Sequence, residues 1–473
     1  PWLAFLNNYL LFVIPNMFLS GALIYAMAQK WRSTIISFVG ALMIIIGYII
    51  AGNLLSDIDN VQIAGLSDPF GIRAYSVDSR YYTTIEKNTL APSFSGVLQL
   101  NRLLWLGIGM VVLLISYLSF KPQKNPSAKR FSIRKKAAEL AKVSLKPIGP
   151  LPKVSLYYEG MAWLHFVSFF KDASRSILKN TVFKILAAFA IILLSTDLIN
   201  GFEYFGLQSY PLTYKMLDAI SDSSGIFMVI IMVFFSGELV WRDRSSNIDE
   251  VIGATPHRAF NQLLAQAVAL VYVASLLYGI YVVAAIFAQL VQGFTDIELS
   301  LYLRQYCYAQ LPIYVLFAGL HLFIQVVINN KYIGYFVSVL SLFVLDILWS
   351  ILDVSTNMLS LGGSPSIRYS DMNNFGPGLE GHLWFSLYWL LFASFLLLLA
   401  GLLMQRHKSG NFISRLRQAK LSFRGPYAAL VSGSLVAFLA TAGWVFYNTQ
   451  VLNTYQTSDE TELLRADYEK KFK

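Results

Sequence analysis

Residues 263–290 read LLAQAVALVYVASLLYGIYVVAAIFAQL, without an Asp, Glu, Lys or Arg from end to end. A helix rises about 1.5 Å per residue, so this run is long enough to cross a hydrocarbon layer about 30 Å thick. Its polar side chains are limited to Gln266, Ser275, Gln289 and three tyrosines, too few to make the water-facing side of a surface helix. The same rule, applied outward along the chain, predicts spans at 9–29, 33–55, 102–120, 181–200, 223–241, 263–290, 309–328, 333–353, 383–404 and 427–447. Composition agrees: of 473 residues 56% are hydrophobic and 14% charged, whereas soluble domains carry about a quarter charged. The expected class is an all-α polytopic membrane protein with about ten transmembrane helices. A lone cysteine, Cys307, excludes an internal disulfide and a cysteine-built zinc site.

The net charge of +10, from 37 Lys and Arg against 27 Asp and Glu, has an address. The connection 121–180 holds thirteen basic residues against Glu139, Glu159 and Asp172. The stretch 405–424 adds Arg406, Lys408, Arg415, Arg417, Lys420 and Arg424 with no acid. Lys30 and Arg32, Arg242 and Arg244, and Lys331 fall on the same side if spans alternate. Positive loops stay in the cytoplasm, so this side is predicted to be inside and the tail 448–473 outside. The charge is a topology signal, and no nucleic-acid partner is expected. The chain begins on the outer side without a basic leader, which suggests further spans upstream.

An internal repeat runs through this pattern. Tyr9-Leu10-Leu11-Phe12-Val13-Ile14-Pro15 matches Tyr306-Cys307-Tyr308-Ala309-Gln310-Leu311-Pro312, each opening an inward span. A polar elbow follows in both, then an outward span. Next come the outer-loop motifs Ser67-Asp68-Pro69-Phe70-Gly71 and Ser370-Asp371-Met372-Asn373-Asn374-Phe375-Gly376. An inward span closes each copy, near Trp105 or near Trp384 and Trp389. Parallel repeats of this kind line transport pathways.

The most informative motif is Gly237-Glu238-Leu239-Val240-Trp241-Arg242-Asp243-Arg244-Ser245-Ser246-Asn247-Ile248-Asp249-Glu250-Val251-Ile252-Gly253-Ala254-Thr255-Pro256. Ile248, Val251 and Ile252 recur at helical spacing, which predicts a short helix on the inner membrane surface with Asp249 and Glu250 facing away. Thr255-Pro256 punctuates the start of the next span. The segment 155–180 is also amphipathic, with Leu156, Leu164, Val167, Phe170 and Ile177 among Lys and Asp. On its own the Arg-rich turn also reads as a solvated loop whose arginines snorkel.

This string resembles the coupling region of ABC-2-type permeases. More narrowly, the chain resembles the bacterial family in which an ABC transporter permease is fused to an M1-family aminopeptidase. The shared features include Asn329-Asn330-Lys331-Tyr332-Ile333-Gly334, Tyr369-Ser370-Asp371-Met372-Asn373, Leu387-Tyr388-Trp389 and Ala466-Asp467-Tyr468-Glu469-Lys470-Lys471. Glu86-Lys87-Asn88-Thr89 and Asn101-Arg102 extend the resemblance into the first half.

The resemblance implies that 1–120 is the last three helices of one permease module and 181–404 a complete six-helix module. The remainder would be a basic linker at 121–180, a basic loop at 405–426, an extra anchor helix at 427–447 and an extracytoplasmic stalk at 448–473. It further implies that Arg242, Asp243, Arg244, Asp249, Glu250, Thr255 and Pro256 contact an ATPase subunit, with Glu238 at an inner gate. The setting would be a bacterial inner membrane.

No GxxxxGK[ST] phosphate loop and no HExxH zinc motif occurs in these residues. ATP would therefore sit on a separate subunit, and zinc only in a peptidase domain downstream. The chain itself is expected to hold no cofactor. Its partners would be ABC ATPase subunits, membrane lipid and a component outside the cytoplasm. Asp346, His321 and Gln325 form a candidate intramembrane polar site, because polar groups at that depth are costly. Three functions fit: the permease of an ATP-driven exporter, a membrane scaffold for an extracytoplasmic M1 peptidase, and an ion-coupled secondary transporter. The transported substrate is not encoded legibly.

Overall fold

The apolar runs fold as helices in a computed structural model of the chain. It describes residues 2–31, 40, 44–45, 47–49, 51–52, 61–120, 161–200, 203–204, 207–246, 248–255, 258–328, 330–352, 354, 356–404, 412–453 and 456–472. The chain divides into two compact units, Pro1–Tyr158 and Glu159–Lys473, and the division falls inside the basic linker expected at 121–180.

The first unit is built on α1 (Phe5–Lys30), three short helices, α2 (Val61–Ser67), α3 (Ile72–Asp78) and α4 (Thr84–Thr89), and α5 (Gly96–Ser119). Asn7 reaches the Pro92 carbonyl near one end of the pair and Gln29 the Ser116 carbonyl near the other, so α1 and α5 run parallel. Between them, described residues from 40 to 52 are helical. Gly40 lies beside Met27 and Tyr48 packs edge-on against Phe70, so this stretch leads back towards the start of α5. The span expected at 33–55 otherwise lies outside the described residues.

The second unit opens with α6 (Met161–Lys179) and α7 (Thr181–Asn200), which meet at a bend of 63°. Asn180 makes the corner, its side-chain oxygen accepting from the Val182 amide at 2.9 Å. A two-residue strand pair, β1 (Glu203–Tyr204) and β2 (Leu207–Gln208), precedes α8 (Thr213–Ser245). Then come α9 (Asp249–Gly253), α10 (Ala259–Val291), α11 (Leu299–Val327), α12 (Lys331–Ile351), α13 (Gly378–Leu403), α14 (Phe412–Ser422), α15 (Gly425–Val451) and α16 (Ser458–Phe472).

Helix α8 is apolar on all sides through its middle, between Asp222 and Glu238, and forms the centre of this unit. Met216, Ile220, Phe227, Ile231 and Met232 are fully buried, and α7, α10, α11 and α12 pack around it. Helices α8 and α10 each run well past the length a bilayer requires. Gly319 lets α11 approach α13: a side-chain carbon there would stand 2.9 Å from the Ala393 carbonyl.

Among the described residues eight helices are long and apolar enough to span a membrane, or nine if the bent pair α6–α7 counts as one. The expected span 181–200 is α7, which continues α6 across the bend. Segment 155–180 is helical from Met161, lies along α10 and exposes Leu164 while burying Ile177.

Candidate functional site

The end of α8 rich in arginine is tied to four other helices through Glu238 and the successive side chains of Trp241, Arg242 and Asp243. Glu238 accepts from Lys331 Nζ of α12 at 2.9 Å. Trp241 donates its indole N–H to Gln325 Oε1 of α11 at 3.0 Å. Arg242 pairs with Asp172 of α6 at 2.5 Å and with Asp243 at 3.3 Å. Asp243, itself buried, accepts from Gln262 Nε2 of α10 at 3.1 Å. These four residues fall within two helical turns, so each points a different way around the axis. Arg244 lies over the Trp241 ring at 4.8 Å, a cation–π contact.

Gly237 is required where α8 meets α11 and α12. A side-chain carbon there would overlap the Tyr335 ring and reach Gln325 Nε2 at 2.9 Å. Gly334 on α12 likewise leaves room for the Gln325 amide. Together these glycines let the Gln325 amide sit between three helices.

A short helix stands at the expected place, α9, with Ile248 and Val251 exposed beside and on it. Ile252 turns instead into a small cleft, and so does Asp249, which lines it with Asp243, Arg244, Gly253 and Gln262. Asp249, expected to turn away from the Ile248, Val251 and Ile252 face, lies instead beside Ile252 and Arg244 in this cleft. Thr255 closes the turn, donating to the Ile252 carbonyl at 2.6 Å. Pro256 and the Glu250 side chain lie outside the described residues.

Arg415 of α14 completes this end of the unit. It is 4% exposed, and its guanidinium donates to the carbonyls of Val326, Val327 (3.0 Å) and Leu403 (2.9 Å). Those carbonyls close the last turns of α11 and α13, where unpaired acceptors and negative dipole ends collect. Burial and the nearby positive Arg244 push the Arg415 pKa down from its ordinary value. In the sequence Arg415 reads as one more cytoplasmic charge; its capping role depends on carbonyls 12, 88 and 89 positions away.

The three residues of the candidate intramembrane site are not brought together. Gln325 and His321 are fully buried one turn apart on α11, and neither ring nitrogen of His321 has a partner in the protein. Asp346 is exposed near the other end of α12 and accepts from Ser360 Oγ at 2.9 Å. With Gly334 beside Gln325, Asp346 lies about 18 Å further along α12. It fastens a loop instead of lining a buried site.

In each unit a long helix, α5 in the first and α13 in the second, holds a loop down through an indole. Trp105 of α5 donates to the Leu66 carbonyl at 3.0 Å, and Trp389 of α13 to the Gly363 carbonyl at 2.8 Å. In the first unit Asn101 also donates to the carbonyls of Gly65 and Asp68, and Arg102 to Asn16 Oδ1 and the Pro69 carbonyl. In the second, His382 meets Ser364, Pro365 and the Tyr308 carbonyl. Phe70-Gly71 and Phe375-Gly376 both place glycine at positive φ, +76° and +66°. The acids of the two motifs diverge: Asp68 is buried and accepts from the amides of Phe70 and Arg73, whereas Asp371 is exposed.

The repeated Tyr-to-Pro segments share a further detail. Tyr9–Val13 and Tyr306–Gln310 are both π-turns, in which the Tyr carbonyl accepts from the amide five residues on, and a proline follows in each. Proline cannot donate and its ring crowds the carbonyl four residues back; a widened turn relieves both.

These features define a polytopic helical membrane protein. Comparison with protein-family models, with curated proteins and with solved structures found no match.

Proposed function

We propose that the chain is the membrane permease of an ATP-driven, ABC-2-like exporter. A separate ATPase engages its cytoplasmic end and drives alternating access. In this reading the protein has about ten spans in a bacterial inner membrane. Residues 181–404 are one six-helix module, 1–120 are the last three helices of a second, and 427–447 anchor a tail outside the cytoplasm. The shared π-turns, loop-holding tryptophans and Phe-Gly turns support the pairing of the two modules.

One observation carries the functional reading: the end of α8, next to the surface helix α9, is bonded to α6, α10, α11 and α12 by Arg242, Asp243, Trp241 and Glu238. A force applied at α9 therefore reaches most of the helices around α8 through short polar links. Such an arrangement suits a coupling element better than a passive loop, which would leave its arginines in solvent.

The test is affinity purification of the intact protein from its native membrane, with mass spectrometry of what elutes with it. An ATPase subunit that is retained by the wild type and lost on Arg244→Glu or Val251→Asp supports the reading. No nucleotide-binding partner at native expression, or one insensitive to both changes, refutes it. Purified complex in proteoliposomes would then be expected to hydrolyse ATP.

A further inference from the structure

Helix α11 carries a line of polar side chains on the face turned away from α13. Gly319 marks the α13 side by its closeness to Ala393, and Tyr314, His321 and Gln325 lie roughly opposite. Spaced by seven and four residues, these three share one stripe about 16 Å long. Tyr306 joins this line to α10: its ring lies 6.5 Å from that of Tyr314 and 5.2 Å from that of Tyr278. Its hydroxyl shares a hydrogen bond with Ser275 at 2.5 Å, and Tyr281 follows Tyr278 three residues later on α10. On α12, which runs antiparallel to α11, Gly334 is level with Gln325, so Ser338 is level with His321 one turn further on.

All six of Tyr278, Tyr281, Tyr314, His321, Gln325 and Ser338 are at most 4% exposed. Each carries a polar atom without a partner in the protein: the three phenol oxygens, both His321 nitrogens, Gln325 Nε2 and Ser338 Oγ. Buried polar atoms are almost always satisfied, because an unmet donor or acceptor bears its full desolvation penalty. A core built only for packing has no use for unmet atoms at successive levels of one face. Hydroxyl, imidazole and amide groups both donate and accept, and none of the six bears a permanent charge. This is lining suited to a neutral ligand that does the same and is small enough to sit between packed helices.

We infer that the second unit binds a file of water molecules along this face of α11, between the Trp241–Gln325 bond and the Ser275–Tyr306 pair. The file satisfies the six side chains and gives His321 exchangeable contact with solvent inside the bundle. The inference is independent of the exporter reading, since it concerns the interior of one unit and no partner.

Radiolytic hydroxyl-radical footprinting of the full chain in lipid nanodiscs tests it, because bound water generates radicals in place. Tyr281, Tyr314 and His321 are expected to be oxidised several-fold faster, after correction for intrinsic reactivity, than Phe227 and Phe235. Those two rings of α8 are equally buried but have no polar atoms to hydrate. Rates for Tyr281, Tyr314 and His321 no higher than for the two phenylalanines overturn the inference. His321→Leu should lower oxidation of Tyr314 several-fold while leaving exposed Tyr81 unchanged; an unaltered Tyr314 rate removes His321 from the file. Should that variant fail to insert, the wild-type comparison still decides.

Discussion

Lys331 Nζ donates to Glu238 Oε2 over 2.9 Å, joining the first residue of α12 to the arginine-rich end of α8. Both side chains are roughly a quarter exposed, so the pair contributes modestly, up to about 1 kcal/mol. Glu238→Lys should lower the melting temperature in detergent, and Glu238→Lys with Lys331→Glu should recover most of the loss. A double variant no better than the single one would show that the charges do not communicate.

Gly237 faces the Tyr335 ring with no room for a methyl group. Gly237→Ala is therefore expected to cost about 1–3 kcal/mol, the usual penalty of forcing atoms into a packed interior. Tyr335→Ala in the same background should restore part of the stability. Thermal denaturation followed by near-UV circular dichroism reads both effects.

Arg415 caps three carbonyls at the ends of α11 and α13. Hydrogen bonds from a charged donor contribute about 1.5–3 kcal/mol each, and a guanidinium fork cannot be replaced by a single ammonium. Arg415→Lys should recover little of what Arg415→Gln loses. Hydrogen exchange of the last turns of α11 and α13 should quicken in both variants. Unchanged exchange there would mean the cap is dispensable.

Trp105 and Trp389 each hold a loop by one indole hydrogen bond. Trp105→Phe and Trp389→Phe keep an aromatic ring, though a smaller one, but delete the donor, at about 1–3 kcal/mol for the stranded carbonyl. Limited proteolysis should then cut 354–377 faster in the second variant. The first unit should respond less, because Asn101 and Arg102 hold its loop independently.

Glu86 closes a capping box with Thr83, whose amide and hydroxyl hold its carboxyl below the ordinary value. A depressed carboxylate stabilises the fold above the unfolded-state pKa and loses that effect as pH falls through the folded-state value. Amide protection in α4 should hold steady near neutrality and fade on acidification through the carboxylate range. Glu86→Gln should flatten this dependence; a wild-type profile already flat would contradict the capping role.

The apolar spans were legible because a bilayer imposes length and composition on each one separately. An apolar rule starts this span at 223, but helix α8 begins at Thr213, since Lys215, Asp218 and Asp222 hide its first turns from any such rule. The elbow after Arg242 was readable as a motif, yet its partners Asp172, Gln262 and Gln325 are set only by packing between helices far apart in sequence. Asp346 stands between Leu345 and Ile347 in an apolar run, but this part of α12 is exposed on both of those neighbours as well, and its carboxylate accepts from the loop residue Ser360. Asp68 and Asp371 occupy matching motifs, and the sequence gives no sign that one is a buried cap and the other exposed.

A π-turn carries one residue more than the α-helix around it needs. In Tyr306–Gln310 that surplus sits between Leu299–Gln305 and the packed body of α11. Deleting one residue inside the turn would tighten it to ordinary pitch and keep both flanks in phase with their neighbours. The same deletion a few turns later would swing Gln325 away from Trp241. The span thus holds a spare place in its reading frame, where chain length can change by one without rewriting every contact downstream.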